Sequence, residues 1–366
     1  MKINNSFLNL FTIQPNNKIG AQANRNFYSL NGANLAPLSK DTVSFSGAKK
    51  SEDSKTSSKK VEHSYRPTIK TSQMIYDESA YAHSQLRNIL RHTFDMPVID
   101  HDDISYEHKK RIAFEENQDK PILMITSRRK SPHSISEKMS QKRIKSKVAA
   151  KKELNDLIGA KIVLTGNSPE EGDYALDKLT EAIKKGRLKI KEVKNHSQEN
   201  QDLRYASKGK INKLIDTARK NGSPYCTYVD QPRDSGYLAI HLITNEIADG
   251  YRAEIQIIGH DVAKLKEIED LCYKCHAGKN VPSKYKPIKA MFKQVHDSEK
   301  LTDDYLEYTK RAYAYERLKS IKRKKMFESF LTIPNDLNIP KELDFNNIAK
   351  IKSDIDNEEK RKNENK

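Results

Sequence analysis

The sequence predicts a mixed α/β (α+β) domain over residues 72–287, with a sheet of about five strands flanked by helices. Three observations lead there. Apolar runs of strand length alternate with longer segments whose apolar residues recur every three or four positions. Helix-opening and helix-closing residues mark the boundaries, as at Ser131-Pro132 and Asn221-Gly222. The flanks, by contrast, are polar and lysine-rich. With 36% hydrophobic and 32% charged residues over 366 positions, the chain has too little apolar surface to pack throughout.

The elements follow in chain order. Residues 1–62 are rich in Asn, Ser and Lys, low in complexity at 51–60, and read as a disordered leader. A helix begins near Ser72, with Ile75, Ala82, Leu86, Ile89 and Leu90 at helical spacing. Residues 120–125 read as a short buried strand. Ser131 then offers an N-cap and Pro132 a first helical residue, opening one helix that runs to about Lys147. Residues 157–164 form a strand ending at Thr165-Gly166. A helix at 169–185 carries Tyr174, Leu176, Leu179 and Ile183, and 188–193 is a strand. Lys208–Lys220 is helical and is closed by Asn221-Gly222. Strands at 225–229, 237–244 and 252–258 complete the set, and a helix after His260 aligns Val262, Leu265, Ile268 and Leu271. Beyond the domain, 288–330 reads as a helical extension made basic by Lys319, Lys322, Arg323, Lys324 and Lys325, and 331–366 as a charged tail.

A formal net charge of +17 favours anionic partners such as nucleotides or RNA, although lysine-rich tails carry part of it. No apolar run is long enough to cross a bilayer, so no membrane partner is expected. The N-terminus lacks the pattern of a secretory signal, and three cysteines make no disulfide framework. Both fit a cytoplasmic protein.

Two separated segments carry chemistry. The first is Ser-Arg-Arg-Lys-Ser-Pro-His-Ser-Ile-Ser-Glu-Lys-Met at 127–139, followed by Asn-Asp-Leu-Ile-Gly-Ala-Lys at 155–161. Arg128 and Lys130 leave a strand, while Ser134 and Lys138 lie one turn apart on the next helix. Cations converging on a helix N-terminus suit a polyphosphate; a solvated basic face is the plain alternative. Asp156, at the mouth of a strand, suits a magnesium ligand or an ordinary turn.

The second is Pro-Arg-Asp-Ser-Gly-Tyr-Leu-Ala-Ile-His at 232–241, followed by Ala-Glu-Ile-Gln-Ile at 253–257. A period of two sets Glu254 and Gln256 on one face, opposite Ala253, Ile255 and Ile257. A glutamate inside a central strand is costly unless paired or metal-bound; an edge strand with a wet face would carry it freely. Tyr237, Ala239 and His241 share one face of the preceding strand. There Tyr237 suits stacking on a base, and Arg233 and His241 suit phosphates. A core tyrosine and a satisfied core histidine are the other readings.

In order and spacing these signals resemble the synthetase domain of the RelA/SpoT family, the (p)ppGpp synthetases, over about 125–278. The family's Arg-x-Lys-x-x-x-Ser-x-x-x-Lys run matches Arg128, Lys130, Ser134 and Lys138, and its Asp-x-x-Gly/Ala-x-Arg matches Asp156, Gly159 and Lys161. Its Pro-Lys-x-x-Gly-Tyr-x-x-x-His matches Pro232, Arg233, Gly236, Tyr237 and His241, and its Glu-x-Gln-Ile matches Glu254, Gln256 and Ile257. The resemblance implies a nucleotidyltransferase-like fold and transfer of the β,γ-pyrophosphate of ATP to the 3′-hydroxyl of GDP or GTP. It further implies that Arg128 and Lys161 flank adenine, and that Lys130, Ser134 and Lys138 hold ATP phosphates. Asp156 and Glu254 would hold magnesium, with Glu254 also the base and Gln256 beside it in the catalytic set. Gly236 and Tyr237 would receive the acceptor base, and Arg233 and His241 its phosphates.

Three positions depart from the family pattern. Lys161 stands for an arginine, Cys226-Thr227-Tyr228-Val229 for Lys-Asp-Tyr-Ile, and Ile258 for the arginine after Glu-x-Gln-Ile. These changes touch nucleotide contacts rather than the carboxylates. They keep open a tRNA 3′ end as acceptor, and a nucleotide- or RNA-binding regulator without catalysis; homo-oligomerisation is also open. Cys272-Tyr273-Lys274-Cys275-His276 matches a haem-attachment pattern but reads as core cysteines on a helix. His101-Asp102 resembles the family's hydrolase pair and reads as chance, which implies a synthetase-only form.

Overall fold

In this computed structural model, which describes residues 69–166, 168–197, 203–277, 281–318 and 333–364, the first element is helix α1 (Ile69–Phe94). Its Ile75, Ala82, Leu86 and Leu90 recur at multiples of the helical repeat and are fully buried. Then come β1 (Val98–Asp100), α2 (Tyr106–Glu116), β2 (Ile122–Arg129), α3 (Pro132–Gln141), α4 (Lys147–Glu153) and β3 (Ile158–Leu164). The middle of the chain forms α5 (Pro169–Lys184), β4 (Ile190–Asn195), α6 (Lys208–Lys220), β5 (Thr227–Asp230), β6 (Ile240–Thr244) and β7 (Ala253–Gly259). Helices α7 (His260–His276), α8 (Lys286–Met291), α9 (Lys293–His296), α10 (Glu299–Leu318) and α11 (Phe345–Glu364) follow. The leader at 1–62 and the basic run Lys319, Lys322, Arg323, Lys324 and Lys325 lie outside the described residues.

The strands make one seven-stranded mixed sheet in the order β1-β2-β3-β7-β6-β4-β5. Six of them overlap the six ranges read as strands in the sequence, counted there as about five; the seventh, β1, spans three residues and carries no readable period. Strand β7 is the fourth of seven, parallel to β3 and antiparallel to β6. Helix α1 covers one face, where His83 Nε2 lies 3.0 Å from Ser127 Oγ, and it packs with α5, which packs in turn with α6. Helix α7 rests against β3 and β7 and is itself backed by α10 and α11.

Two expectations are corrected. The single helix predicted from Ser131 to about Lys147 is two helices. Arg143 turns left-handed at φ 55°, and the Ile144 amide donates to the Met139 carbonyl (2.8 Å), closing α3 as a C-terminal cap does. Ser146 then caps α4 by accepting from the Ala149 amide (3.1 Å). The charged stretch expected as a tail holds α11. Ile348 is fully buried, and Ile351 and Ile355 pack against the core on the same stripe. Lys284 Nζ donates to Asp356 (2.8 Å) and Glu359 (2.7 Å), and Tyr285 donates to Asp356 (2.7 Å), tying the helix down. Among so many charges, a narrow apolar stripe was easy to miss.

Candidate active site

The register of four strands assembles the site. Arg128 pairs with Gly159, Gly159 with Glu254, and Glu254 with Ile243. One pleat along, Thr126 pairs with Lys161, Lys161 with Gln256, and Gln256 with His241. Paired residues share a face of the sheet, so Arg128, Lys161, Glu254, Gln256 and His241 line one surface. The opposite face buries Ile158, Ala160, Ala253, Ile255 and Ile257. Glu254 thus stands on the central strand, and the edge-strand reading of it falls.

Asp156 sits just before β3, beside the end of β2, where the Lys130 amide donates to the Leu157 carbonyl (2.9 Å). Its Oδ2 accepts from Lys130 Nζ and Lys138 Nζ, both at 2.7 Å. Its Oδ1 is buried and has no hydrogen-bond partner among the described residues. Burial alone would raise the Asp156 carboxyl; the two ammonium groups outweigh it and hold the group below the usual carboxylate range. Lys130 is lowered, by burial first and by the neighbouring Lys138 and Arg128, against the pull of Asp156. Lys138 reaches across from α3, whose N-terminus is capped by Ser131. Ser134, in the first turn, accepts from Ser131 Oγ (3.0 Å).

Glu254 is held at both oxygens. Oε1 lies 3.1 Å from His241 Nδ1, and Oε2 accepts from Gln256 Nε2 at 2.6 Å. Burial opposes its charge, but His241 and these two hydrogen bonds win, and the carboxyl lies well below its ordinary range. His241 Nε2 in turn lies 3.1 Å from the Tyr237 hydroxyl. The tautomer that donates at Nδ1 and accepts at Nε2 satisfies both contacts. Asp156 Oδ1 is a leftover buried acceptor, and Glu254 faces the same space. Two carboxylates are oxygen donors of the type magnesium takes together with substrate phosphates; among the described residues no group of three or more His, Cys, Asp or Glu is arranged to hold a metal by itself.

That space is a cavity of about 300 Å³, lined by Arg128, Asp156, Gly159, Lys161, Glu254 and Gln256 among others. Its size suits a small ligand. Burial lowers the Lys161 ammonium, Arg128 lowers it further, and Asp270 and Glu267 counteract them in part. Lys130, Ser134 and Lys138 stand outside the lining, the two lysines joined to it through Asp156.

The acceptor motif is arranged differently from the expectation. None of Arg233, Gly236, Tyr237 and His241 lines the cavity. Gly236 adopts φ 76°, and a Cβ there would lie 2.6 Å from the Lys310 Cα of α10, so only glycine fits both demands. Tyr237 is buried at 5% exposure, edge-on to Tyr313 (5.8 Å), with Lys266 Nζ 4.9 Å from its ring centre. Lys266 is anchored to Glu269 (2.5 Å) and Asp270 (2.7 Å). In this arrangement Tyr237 is a core residue rather than an open stacking platform. Both ring nitrogens of His241 are engaged by Glu254 and Tyr237, not turned toward phosphates. Arg233 remains half-buried beside them.

Sequence reasoning missed part of the wall. Glu267 and Asp270 line the cavity from α7, and their spacing of three residues on a helix was a readable signal. Tyr106, Glu107 and Lys110 reach it from α2, and Lys352 from α11; nothing local marks these. His101, set aside as chance, also lines the cavity and lies 4.8 Å from the Tyr106 ring. Asp102 pairs instead with Arg129 (3.2 Å) and accepts from Tyr76 (2.9 Å). Cys272 and Cys275 are buried free thiols in α7, the Cys275 thiol pushed up to about 11 by burial.

Fold and site thus define a mixed-sheet domain whose central strand carries a carboxylate into a cavity lined by both cations and carboxylates. Residues 127–278 match the family described as the region found in RelA/SpoT proteins. The chain is also similar to the solved structure of a GTP pyrophosphokinase family protein from Streptococcus pneumoniae. Identity there is 19% and TM-score 0.33, covering 65% of this chain and 96% of the other. It is likewise similar to small alarmone synthetase 1 from Bacillus subtilis bound to its product pppGpp. Identity there is 17% and TM-score 0.31, covering 65% of this chain and 95% of the other. No curated protein matches the chain significantly. Among the described residues, no helix is long and apolar enough to cross a membrane.

Proposed function

We propose that this protein is a pyrophosphokinase that transfers the β,γ-pyrophosphate of ATP to the 3′-hydroxyl of GDP or GTP. One observation carries the reading. Within the segment that matches the RelA/SpoT region, Asp156 and Glu254 face the same cavity as Arg128 and Lys161, with two further lysines held on Asp156.

The ligand-free site is internally neutralised, since Lys130 and Lys138 share one oxygen of Asp156. When ATP enters, these lysines turn from Asp156 to the phosphoryl oxygens, and Ser134 adds a hydroxyl donor. Asp156, relieved of the lysines, and Glu254 would hold magnesium, which would supply charge neutralisation for the phosphates. Arg128 and Lys161 flank the adenine. The acceptor 3′-oxygen attacks the β-phosphorus in line, the bond to the α,β-bridging oxygen breaks, and AMP leaves. Glu254 receives the hydroxyl proton while His241 and Gln256 keep it aimed. On the acceptor side Arg233 meets the phosphates. Tyr237 can receive a base only after Lys266 swings off its ring.

The test offers γ-labelled ATP and magnesium with GMP, GDP, GTP or bulk tRNA as separate acceptors. Label on GDP or GTP supports the proposal. Label on tRNA alone would make the protein a tRNA-modifying enzyme, and no label on any acceptor would leave a nucleotide-binding protein.

A further inference from the structure

We propose that Lys352, on α11 and outside the RelA/SpoT region, binds the nucleoside end of the donor nucleotide; this rests on the donor assignment made above. Lys352 lines the cavity, although α11 lies far along the chain from every strand that builds it.

Two groups of paired charges stand at or beside the cavity wall. At one end Asp156 carries Lys130 and Lys138, and Lys138 also acts on Glu254. At the other, Glu267 is the shared electrostatic neighbour of Tyr106, Lys161 and Lys352. Phosphates go to the end where Lys130 and Lys138 are freed; at the other end Lys110 and Lys266 are already paired with Glu267 (3.9 Å) and Asp270 (2.7 Å). The base and ribose are left for the Glu267 end. An ammonium there donates to base ring nitrogens or ribose oxygens, and the carboxylates accept from the exocyclic amine or the hydroxyls.

The geometry leaves Lys352 able to do so. Its ammonium has three donors, and Asp356 takes one at 2.8 Å. Asp356 also binds Lys284 and Tyr285, and buried Ile348 anchors the helix, so α11 keeps its docking without Lys352.

The experiment measures binding of α,β-methylene-ATP and of inorganic tripolyphosphate, each with magnesium, to the full chain and to Lys352→Ala. The variant should lose about tenfold for the analogue, the loss of one charged hydrogen bond, with tripolyphosphate affinity and Tm unchanged. Lys352→Arg should restore part of it. Unchanged or tighter analogue binding overturns the proposal, and so does an equal loss for both ligands, which would mean only a general field. If Lys352→Ala lowers Tm, Lys352→Gln, which keeps the stem, decides by the same criteria. A folded wild-type chain that binds no analogue defeats the donor assignment itself, and this inference with it.

Discussion

At Glu254 the side chain has no slack, because each carboxylate oxygen already has a partner, His241 at 3.1 Å or Gln256 at 2.6 Å. Glu254→Gln keeps the shape but cannot take a proton. It should lower kcat by at least about a hundredfold with ATP binding retained. His241→Gln separates positioning from phosphate binding. The geometry predicts kcat falling about tenfold with little change in acceptor KM, whereas a phosphate ligand would raise KM and spare kcat. Lys161 sets a pH dependence. Burial places its folded pKa below 10.5, so its charge is complete at low pH and is lost early as pH rises. Donor KM should therefore climb at alkaline pH below that value. Lys161→Arg, which keeps its charge and restores a planar cation, should move the climb upward. Much of this was legible in the sequence: the period of two exposed Glu254 and Gln256, and Asp156 stood where a strand begins. The partners of His241 were not legible, because they depend on which strand lies beside which.

At the scale of elements, α10 bears directly on the acceptor motif. Gly236 combines φ 76° with a 2.6 Å approach of α10 to the position a Cβ would take. Gly236→Ala should destabilise the fold by about 1–3 kcal/mol and loosen α10 from Tyr237, both visible as a lower Tm and faster amide exchange in α10. Helices α1, α5 and α7 were readable from apolar spacing, and α6 from its Asn221-Gly222 close. The α3–α4 break was not, because Arg143 takes a left-handed conformation that its residue type does not advertise. Helix α11 was hidden for another reason. Its apolar stripe is narrow, and ion pairs from Lys284 to Asp356 and Glu359 supplement it across the fold.

Over the whole molecule, the sheet order β1-β2-β3-β7-β6-β4-β5 brings residues 127–139 beside residues 253–257. Order and spacing of motifs hinted at this meeting, but only pairing of β3 with β7 joins Asp156, Lys161 and Glu254 around one cavity. Contacts from α2, α7 and α11 complete the wall, and no local pattern encodes contacts of such long range. We propose that this wall supports transfer of pyrophosphate rather than of a single phosphoryl group. The most direct test follows the fate of α-labelled ATP with magnesium and GDP. Pyrophosphate transfer predicts labelled AMP, formed only when acceptor is present and in equal amount to a 3′-pyrophosphorylated guanosine nucleotide, and abolished by Glu254→Gln. Labelled ADP, or AMP formed without acceptor, would contradict it.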